Sequence, residues 1–379
     1  MMDTAKKIIL ELKTAGFEAY VVGGAVRDLL LGRVPHDTDV ATSALPEEVK
    51  RVFERTVDTG IAHGTVLVLL DGEGIEVTTF RTEGAYTDHR RPDEVAFVRT
   101  LEEDLKRRDF TINAMAMTET MDIIDPFGGR IDLEDKRIRA VGNSSERFSE
   151  DALRMLRAIR FSGQLDFALD DETFAAIKQE ASLISSISIE RVKAELDKMF
   201  LHEQAARSLG YLQEAKLNEH LPNGKMFDVD WTAYEATGNS LYGWAFMLHR
   251  GGFDVSALRL YKLSNDEKQQ LANTLCAASL ETWNAWTYYS IGTEALEMAA
   301  KLTDRQVAIP KKKSLLPIAH KQEVAINGKD LMEWTGKKQG PWLKDWISRI
   351  ERAIVFGELP NDPATIKEWF QVEFSTQDE

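Results

Sequence analysis

A pair of glycines followed by a D-x-D triplet constrains the fold of this 379-residue chain more than any other feature. The apolar residues Val21 and Val22 read as the end of a strand, and Gly23 and Gly24 follow directly. Small residues at such a position let backbone N–H groups approach a phosphate closely. The pattern therefore predicts a sheet that ends in a phosphate-binding turn.

Two aspartates, Asp37 and Asp39, follow this turn with one residue between them. On an extended segment, residues two apart point to the same side, and paired carboxylates bind hard divalent ions such as Mg²⁺. A lone D-x-D triplet is more often a solvated turn, but the glycine pair upstream favours a metal site. Glu76 lies on a predicted strand, opposite the apolar side chains, and is a candidate third carboxylate. Together these groups predict metal-dependent phosphoryl or nucleotidyl transfer.

The remaining pattern predicts an α+β chain with a small mixed sheet at its start and helices after residue 149. Asp71-Gly72-Glu73-Gly74 joins two β-rich runs and is a strong hairpin signal. Residues 83–99 are polar and lack periodicity, which predicts a mobile loop. The predicted helices of the first part are 4–15, 25–31, one that opens at 45–48, and 104–117. The predicted strands are 17–22, 38–41, 65–70 and 75–81.

A second group of functional candidates lies at the start of the helical part. If residues 151–160 form one helix, Asp151, Arg154, Arg157 and Arg160 share a face opposite the apolar one. Taken alone, this pattern fits a surface helix with ion pairs three residues apart. Beside a phosphate site it favours nucleotide recognition. An Asp acceptor and an Arg donor match the pairing edges of cytosine and adenine, and reject the keto oxygens of guanine and uracil.

A third basic element is Arg107-Arg108, followed by Asp109 and, four residues later, Asn113. We expect Arg108 to contact a triphosphate and Asp109 and Asn113 to make structural hydrogen bonds. Residues 81–160 are nearly balanced in charge, with 15 lysines and arginines against 17 acidic residues, although the whole chain carries −15. A basic cleft in an acidic protein would draw an anionic substrate inward.

Length and composition set broad limits. A chain of 379 residues with 43% hydrophobic residues is expected to fold into two to four domains. The single cysteine, Cys276, excludes an internal disulfide. Neither a signal peptide nor an apolar run of membrane-spanning length is visible, which predicts a cytoplasmic protein without membrane partners.

Three motifs together resemble the class II CCA-adding enzymes, the tRNA nucleotidyltransferases related to bacterial poly(A) polymerases. The motifs are the glycine pair with D-x-D, Arg107-Arg108-Asp109-Phe110-Thr111-Ile112-Asn113-Ala114, and Glu150-Asp151-Ala152-Leu153-Arg154-Met155-Leu156-Arg157. The resemblance is specific over residues 20–200 and looser toward the C-terminus. It implies template-independent addition of CCA to tRNA from CTP and ATP, with Mg²⁺ as cofactor.

The same resemblance implies an architecture and a set of roles. A polymerase-β-type head (1–141) would be followed by a helical neck (142–201), body (202–309) and tail (310–379), contacting the acceptor end and elbow of tRNA. Asp37 and Asp39 would bind Mg²⁺ with Glu76 as their companion, and the loop at 83–93, with His89-Arg90-Arg91, would serve the switch from C to A addition. The residues implied at ATP and CTP are Gly23, Gly24, Arg27, Arg108, Asp151, Arg154, Arg157 and Arg160. A homodimer is compatible with the sequence.

Related activities stay open at this point. A stand-alone A-adding enzyme would carry nearly the same motifs. A bacterial poly(A) polymerase usually has a basic C-terminal extension, whereas this chain ends in Ser375-Thr376-Gln377-Asp378-Glu379. A non-catalytic RNA-binding protein is disfavoured by the intact carboxylates Asp37, Asp39 and Glu76.

Overall fold

A computed structural model describes residues 1–60, 64–83, 95–97 and 100–375. Of the loop predicted at 83–93, residues 84–93 lie outside these ranges, His89-Arg90-Arg91 included. The described chain divides into two compact units, the first comprising 1–243 and 260–262 and the second 244–259 and 263–379. The division of the chain into four domains stays a prediction.

The strands lie in the first unit and confirm the small mixed sheet. The main sheet has the order β3-β4-β5-β2-β1-β8-β9, and two further pairs are β6–β7 and β10–β11. The strands are β1 (Ala19–Val22), β2 (Asp39–Thr42), β3 (Thr56–Gly60), β4 (Thr65–Leu70), β5 (Glu73–Thr79), β6 (Arg81–Glu83), β7 (Val95–Phe97), β8 (Ala116–Met117), β9 (Ile123–Ile124), β10 (Arg137–Ile138) and β11 (Ala168–Leu169).

Helices flank the sheet and form most of the chain after residue 143. Those of the first unit are α1 (Met2–Thr14), α2 (Gly24–Leu30), α3 (Pro46–Val52), α4 (Leu101–Lys106), α5 (Gly129–Glu134), α6 (Ser144–Glu150), α7 (Leu153–Leu165), α8 (Asp171–Glu180), α9 (Ile189–Met199) and α10 (Ala205–Glu214). Those that follow are α11 (Ser240–Gly251), α12 (Asn265–Ser279), α13 (Ala285–Ser290), α14 (Thr293–Leu302), α15 (Ile309–Ser314), α16 (Gly328–Thr335), α17 (Pro341–Val355) and α18 (Pro363–Ser375).

Strand register brings the predicted carboxylates to adjacent positions. β2 runs parallel to β5 with Val40 opposite Val77, so Asp39 and Glu76, one residue earlier on each strand, are neighbours on one face of the sheet. The predicted hairpin between β4 and β5 is confirmed, since these strands pair antiparallel along their whole length. Its turn residues, Asp71 and Gly72, both have positive φ, as a two-residue hairpin turn requires.

The two faces of the sheet are buried differently. One face packs on α1, whose Ile8, Ile9 and Leu12 are fully buried. The face that carries Asp39 packs, away from that residue, on α4 through a cluster of buried apolar side chains. The cluster consists of Val22, Ala41, Phe80, Leu101, Leu105 and Ala116. Because α4 covers only part of this face, Asp39 and Glu76 stay accessible.

The helix predicted over 104–117 is wrong. α4 ends at Lys106, a single 3₁₀ turn covers Thr111–Asn113, and Ala116–Met117 forms β8. Tertiary pairing overrides the local helical pattern, because β8 bonds to β1 and Phe110 forms a bridge with Ala140. Because the helix ends at Lys106, the side chains of Arg107, Arg108 and Asp109 do not line up along a helix face.

The second unit is built from helices around its own apolar core. Fully buried Leu331, Ile350, Ile354 and Ile366 form its centre, and Phe370 is 1% exposed. Its tail helix α17 begins at Pro341, the first-turn position predicted from the sequence, where a missing N–H costs nothing. No helix among the described residues is both long and apolar enough to cross a membrane.

Close contact between α7 and α10 depends on Gly163. A Cβ atom at this position would lie 2.3 Å from Ser208 Oγ and 2.8 Å from the Gln204 carbonyl oxygen. Ser208 cannot easily move away, because its hydroxyl donates to the Ile159 carbonyl at 2.7 Å.

We predict that Gly163→Ala lowers the free energy of unfolding by about 1–3 kcal/mol through this clash. Gly210→Ala is the matched control on α10, since its added Cβ meets no atom within 4 Å. The control should be neutral or stabilising by roughly 0.5–1 kcal/mol. Urea unfolding of both variants checks this, and equal midpoints would contradict the tight crossing.

Candidate active site

A cavity of about 430 Å³ in the first unit collects most of the predicted site residues. Its lining comes from the β1–α2 turn, the start of β2, the segment after α4, the α6–α7 break and α7. The lining residues are Gly23, Gly24, Arg27, Asp39, Arg107, Arg108, Asp109, Asn113, Asp151, Arg154, Arg157, Arg160, Phe161 and Gln164. Six arginines face three aspartates, so the cavity is cationic in a chain whose net charge is −15.

Two predicted carboxylates, Asp37 and Glu76, stand beside the cavity rather than in its lining; both are exposed. They nevertheless act on Asp39. Its pKa is raised, first by loss of water around the carboxyl group and then by the negative charge of Glu76, with a smaller contribution from Asp37; Arg108 opposes the rise. The three acidic groups therefore share one electrostatic neighbourhood.

Carboxylate oxygens are the donors that hard divalent cations prefer, and mutual repulsion among acids is relieved when a cation binds between them. Asp37, Asp39 and Glu76 fit such an ion chemically. In the described part of the chain, however, no three His, Cys, Asp or Glu side chains converge closely enough to form a ready-made metal cage. The donor set fits an ion that shares its coordination with a substrate.

Gly23 adopts a left-handed backbone conformation that other residues rarely adopt, and it lies close to the Arg108 guanidinium. Its φ is +73°, and an added Cβ would lie 2.9 Å from Nη1 of Arg108. α2 begins immediately afterward and carries Arg27, which is only 6% exposed. The predicted glycine turn thus brings backbone and two guanidinium groups to one wall of the cavity.

Asp104 orients the two neighbouring arginines. Its carboxylate is buried, and it accepts hydrogen bonds from Arg107 at 2.8 Å and from Arg108 at 3.1 Å. Burial alone would raise its pKa, but the charges of Arg108 and Arg107 outweigh burial and lower it. An ionised Asp104 therefore holds both guanidiniums at the cavity.

A chain of hydrogen bonds joins the sheet part of the site to α7. Arg27 donates to the side-chain oxygen of Asn113 at 2.9 Å, and the Asn113 amide donates to Asp109 at 3.2 Å. The guanidinium of Arg157, on α7, donates to the other Asp109 oxygen at 2.8 and 2.5 Å. Asp109 and Asn113 were expected to make structural hydrogen bonds, and these contacts are of that kind. Both residues also line the cavity.

Asp151 is not on the helix that carries the three arginines, so the single helix assumed for 151–160 is wrong. α6 ends at Glu150 and α7 begins at Leu153, with Asp151 extended at φ −140° and ψ 101°. Its carboxylate accepts from the Leu153 amide at 3.1 Å and from Arg191 at 2.7 Å. Asp151 still lines the cavity, because the extended segment between α6 and α7 directs its side chain there.

The arginines of α7 are held by different partners. Arg154 donates to Glu150 at 2.7 Å and to the Arg107 carbonyl oxygen at 3.0 Å. Arg160 donates to buried Glu195 at 2.6 Å and also bonds Gln164. These contacts fix the arginines in place before any ligand arrives.

Phe161 was missed by the sequence reasoning, as were Arg107 and Gln164 as lining residues. The Phe161 ring lies beneath three guanidiniums, with distances to the ring centroid of 4.0 Å for Arg160, 5.3 Å for Arg27 and 5.5 Å for Arg157. Such cation–π contacts stabilise clustered positive charge. Helical spacing could have found Phe161 and Gln164, which follow Arg157 by four and seven residues.

Three segments of the chain match known families. Residues 19–139 match the poly(A) polymerase head domain, residues 166–226 the RNA- and SrmB-binding site of polymerase A, and residues 238–370 domain 2 of tRNA nucleotidyltransferase. The CCA-adding enzyme of Geobacillus stearothermophilus is 44% identical, with 96% of this chain and 95% of that protein covered. This chain belongs to the CCA-adding enzyme family. The Listeria innocua family member is 42% identical over 96% of this chain and 97% of its own.

Solved structures of the CCA-adding enzyme family agree with the fold. The crystal structure of the Bacillus stearothermophilus enzyme in complex with CTP is 42% identical, covers 100% of this chain and 98% of its own, and has a TM-score of 0.88. The Thermotoga maritima enzyme, solved with tRNA, is 21% identical and supports the fold alone, with a TM-score of 0.64. Membership of this nucleotidyltransferase family implies use of a divalent metal.

The Asp109–Arg157 ion pair gives stability a defined pH dependence. Burial would raise the pKa of Asp109, but the charge and hydrogen bonds of Arg157, with that of Asn113, lower it from 3.8 to about 2. A carboxyl group with a lowered pKa stabilises the folded state above its unfolded pKa and loses that contribution as the pH falls toward the folded one. The contribution at neutral pH is about 2 kcal/mol.

We predict that Asp109→Asn lowers the free energy of unfolding by about 2 kcal/mol at pH 7, and that the difference from the parent shrinks as pH falls from about 4 to about 2. Denaturant titrations across this range measure it. Asp135→Asn is the control, because Asp135 pairs with Arg137 at 3.2 Å on the exposed surface. Its effect should stay within about 0.5 kcal/mol. A pH-independent deficit in Asp109→Asn would refute the assigned linkage.

Proposed function

We propose that this protein adds C, C and A to the 3′ end of tRNA from CTP and ATP without a template, releasing pyrophosphate at each step. The observation that carries the proposal is the cationic cavity, in which six arginines lie near the carboxylates Asp37, Asp39 and Glu76 in a member of this family. Relatives solved with CTP, with ATP and with tRNA support these substrates.

The triphosphate is assigned to the wall formed by Gly23, Gly24, Arg27 and Arg108. The glycine backbone can approach closely, and the two guanidiniums are already oriented by Asn113 and Asp104. Pre-oriented cations stabilise charge that develops on a phosphate without reorganising during the reaction. Arg157 and Arg160 complete this cationic lining along α7.

The carboxylates are assigned to the metal. Asp37 and Asp39 would hold Mg²⁺, with Glu76 as the neighbouring carboxylate on β5. When bound, the ion would lower the pKa of the attacking tRNA hydroxyl and neutralise charge on the leaving pyrophosphate. The exposed position of Asp37 and Glu76 leaves room for substrate oxygens to share the coordination.

The base edge is assigned to Asp151 and Arg154. Their acceptor and donor groups match the amino group and ring nitrogen of cytosine and of adenine, so one pair of side chains suits both substrates. Uracil or guanine would set a keto oxygen against the Asp151 carboxylate, and an unpaired desolvated carboxylate costs at least about 1–3 kcal/mol.

The four-part division is retained in this proposal, with head, neck, body and tail at 1–141, 142–201, 202–309 and 310–379. The tail would contact the tRNA elbow while the acceptor end enters the cavity of the first unit. We also infer action in the cytoplasm, where tRNA substrates of this kind are matured.

Three tRNA transcripts test the activity, ending before CCA, after the first C, and after CC. We expect each to be extended to CCA when CTP and ATP are supplied together, as read on sequencing gels. Extension of only the transcript ending in CC would identify an A-adding enzyme instead. Long adenosine tails would identify a poly(A) polymerase, and no extension of any transcript would remove the catalytic assignment.

A second measurement tests the carboxylates. We predict that Asp39→Asn lowers the rate of CTP addition at least about 100-fold, because metal-based charge stabilisation contributes several kcal/mol to catalysis. CTP binding, followed by fluorescence, should fall far less. Asp58→Asn is the control, since Asp58 is exposed and pairs with Lys50 at 2.8 Å away from the cavity. Wild-type addition rates in Asp39→Asn would overturn the metal assignment.

A further inference from the structure

Arg191 lies behind the base-reading carboxylate rather than in the cavity lining. It is carried by α9, which packs along α7, and its Nη2 donates to Oδ2 of Asp151 at 2.7 Å. Any influence of Arg191 on an incoming base must therefore pass through Asp151.

The orientation of Asp151 depends on few contacts. Because Asp151 sits in the extended break between α6 and α7, no helical register aims its side chain. One carboxylate oxygen accepts from the Leu153 amide at 3.1 Å and the other from Arg191. The first contact is local to the break, so Arg191 supplies the long-range contact that fixes the plane of the carboxylate.

Helix α9 contacts the segment from Asp151 to Arg160 at two points. One helical turn after Arg191, the buried Glu195 accepts a hydrogen bond from Arg160 at 2.6 Å. Arg191 on α9 thus pairs with Asp151, and Glu195, four residues later, pairs with Arg160. Opposite charges arranged in this order fix the position of α9 along α7 in one register.

Stability alone does not account for Arg191. Its Nη1 is buried and has no hydrogen-bond partner among the described residues. An unpaired buried donor costs free energy, so a side chain placed only for stability would be a poor choice there. Its other nitrogen, in contrast, makes a short charge-assisted bond to the residue that the proposed function assigns to base selection.

We propose that Arg191 is a positioning residue for nucleotide selection, which holds the Asp151 carboxylate so that it accepts from the amino group of cytosine or adenine. The inference rests on the proposed function. Without Arg191 the carboxylate can rotate, its bond to the amino group weakens, and the penalty against a keto oxygen falls because the carboxylate can turn away from it.

The test compares Arg191→Met and Arg191→Lys with the parent. CTP and UTP compete on tRNA lacking CCA, and ATP and GTP on tRNA ending in CC. In Arg191→Met we expect the preference in kcat/KM to fall roughly 10- to 100-fold, mainly through higher KM for CTP and ATP. Arg191→Lys should lie between, because lysine keeps the charge but not the planar fork.

Arg207→Met is the matched control, since it removes another arginine–aspartate pair, with Asp166 at 2.9 Å, on the exposed side of α10. It should leave the preference unchanged. In an Asp151→Asn background, Arg191→Met should change the preference less than about 3-fold, because the group it positions has been altered.

Several outcomes overturn the inference. Unchanged preference in a folded Arg191→Met would do so, as would equal losses for all four nucleotides, which indicate structural support only. If Arg191→Met fails to fold, unchanged preference in Arg191→Lys decides against it. A parent protein that adds no nucleotide refutes the proposed function instead, so the two failures are distinguishable.

Discussion

The ion pair between Asp109 and Arg157 is the contact on which the site depends. Asp109 follows α4 in the sheet part of the first unit, and Arg157 lies on α7, so one carboxylate fixes the position of the arginine-bearing helix. Asn113 extends the connection to Arg27 beside the glycine turn. Because breaking this partly buried pair would leave a charge without compensation, the pair keeps the segment after α4 and helix α7 in one relative arrangement.

Electrostatic design follows from that arrangement. Six arginines around one cavity would repel one another. Nearby carboxylates and one aromatic ring offset this repulsion: Asp104, Asp109, Glu150, Glu195 and the Phe161 ring. Guanidiniums held in this way lose little rotational freedom when an anion arrives. In a chain whose net charge is −15, a cationic cavity would also attract an anionic ligand.

Much of the head could be predicted because its signals are local. The Asp71-Gly72 hairpin follows from turn chemistry, and the shared face of Asp39 and Glu76 follows from strand alternation once β2 and β5 pair. The helix at 104–117 failed because pairing of Ala116–Met117 with β1 outweighs local propensity. The single helix through Asp151 failed for a related reason, since nothing in its periodicity marks the break after Glu150.

The sequence by itself determined the residue types, their order and the class of chemistry, because carboxylate spacing, glycine turns and arginine rows act through local geometry. Only the tertiary structure decided which side chains pair with one another across long distances in the sequence. Arg191 and Glu195 are 40 and 35 residues from Asp151 and Arg160, and Arg157 is 48 residues from Asp109. Contacts over such separations depend on how α7 packs against α9 and bonds to the segment after α4, which no pattern of neighbouring residues encodes.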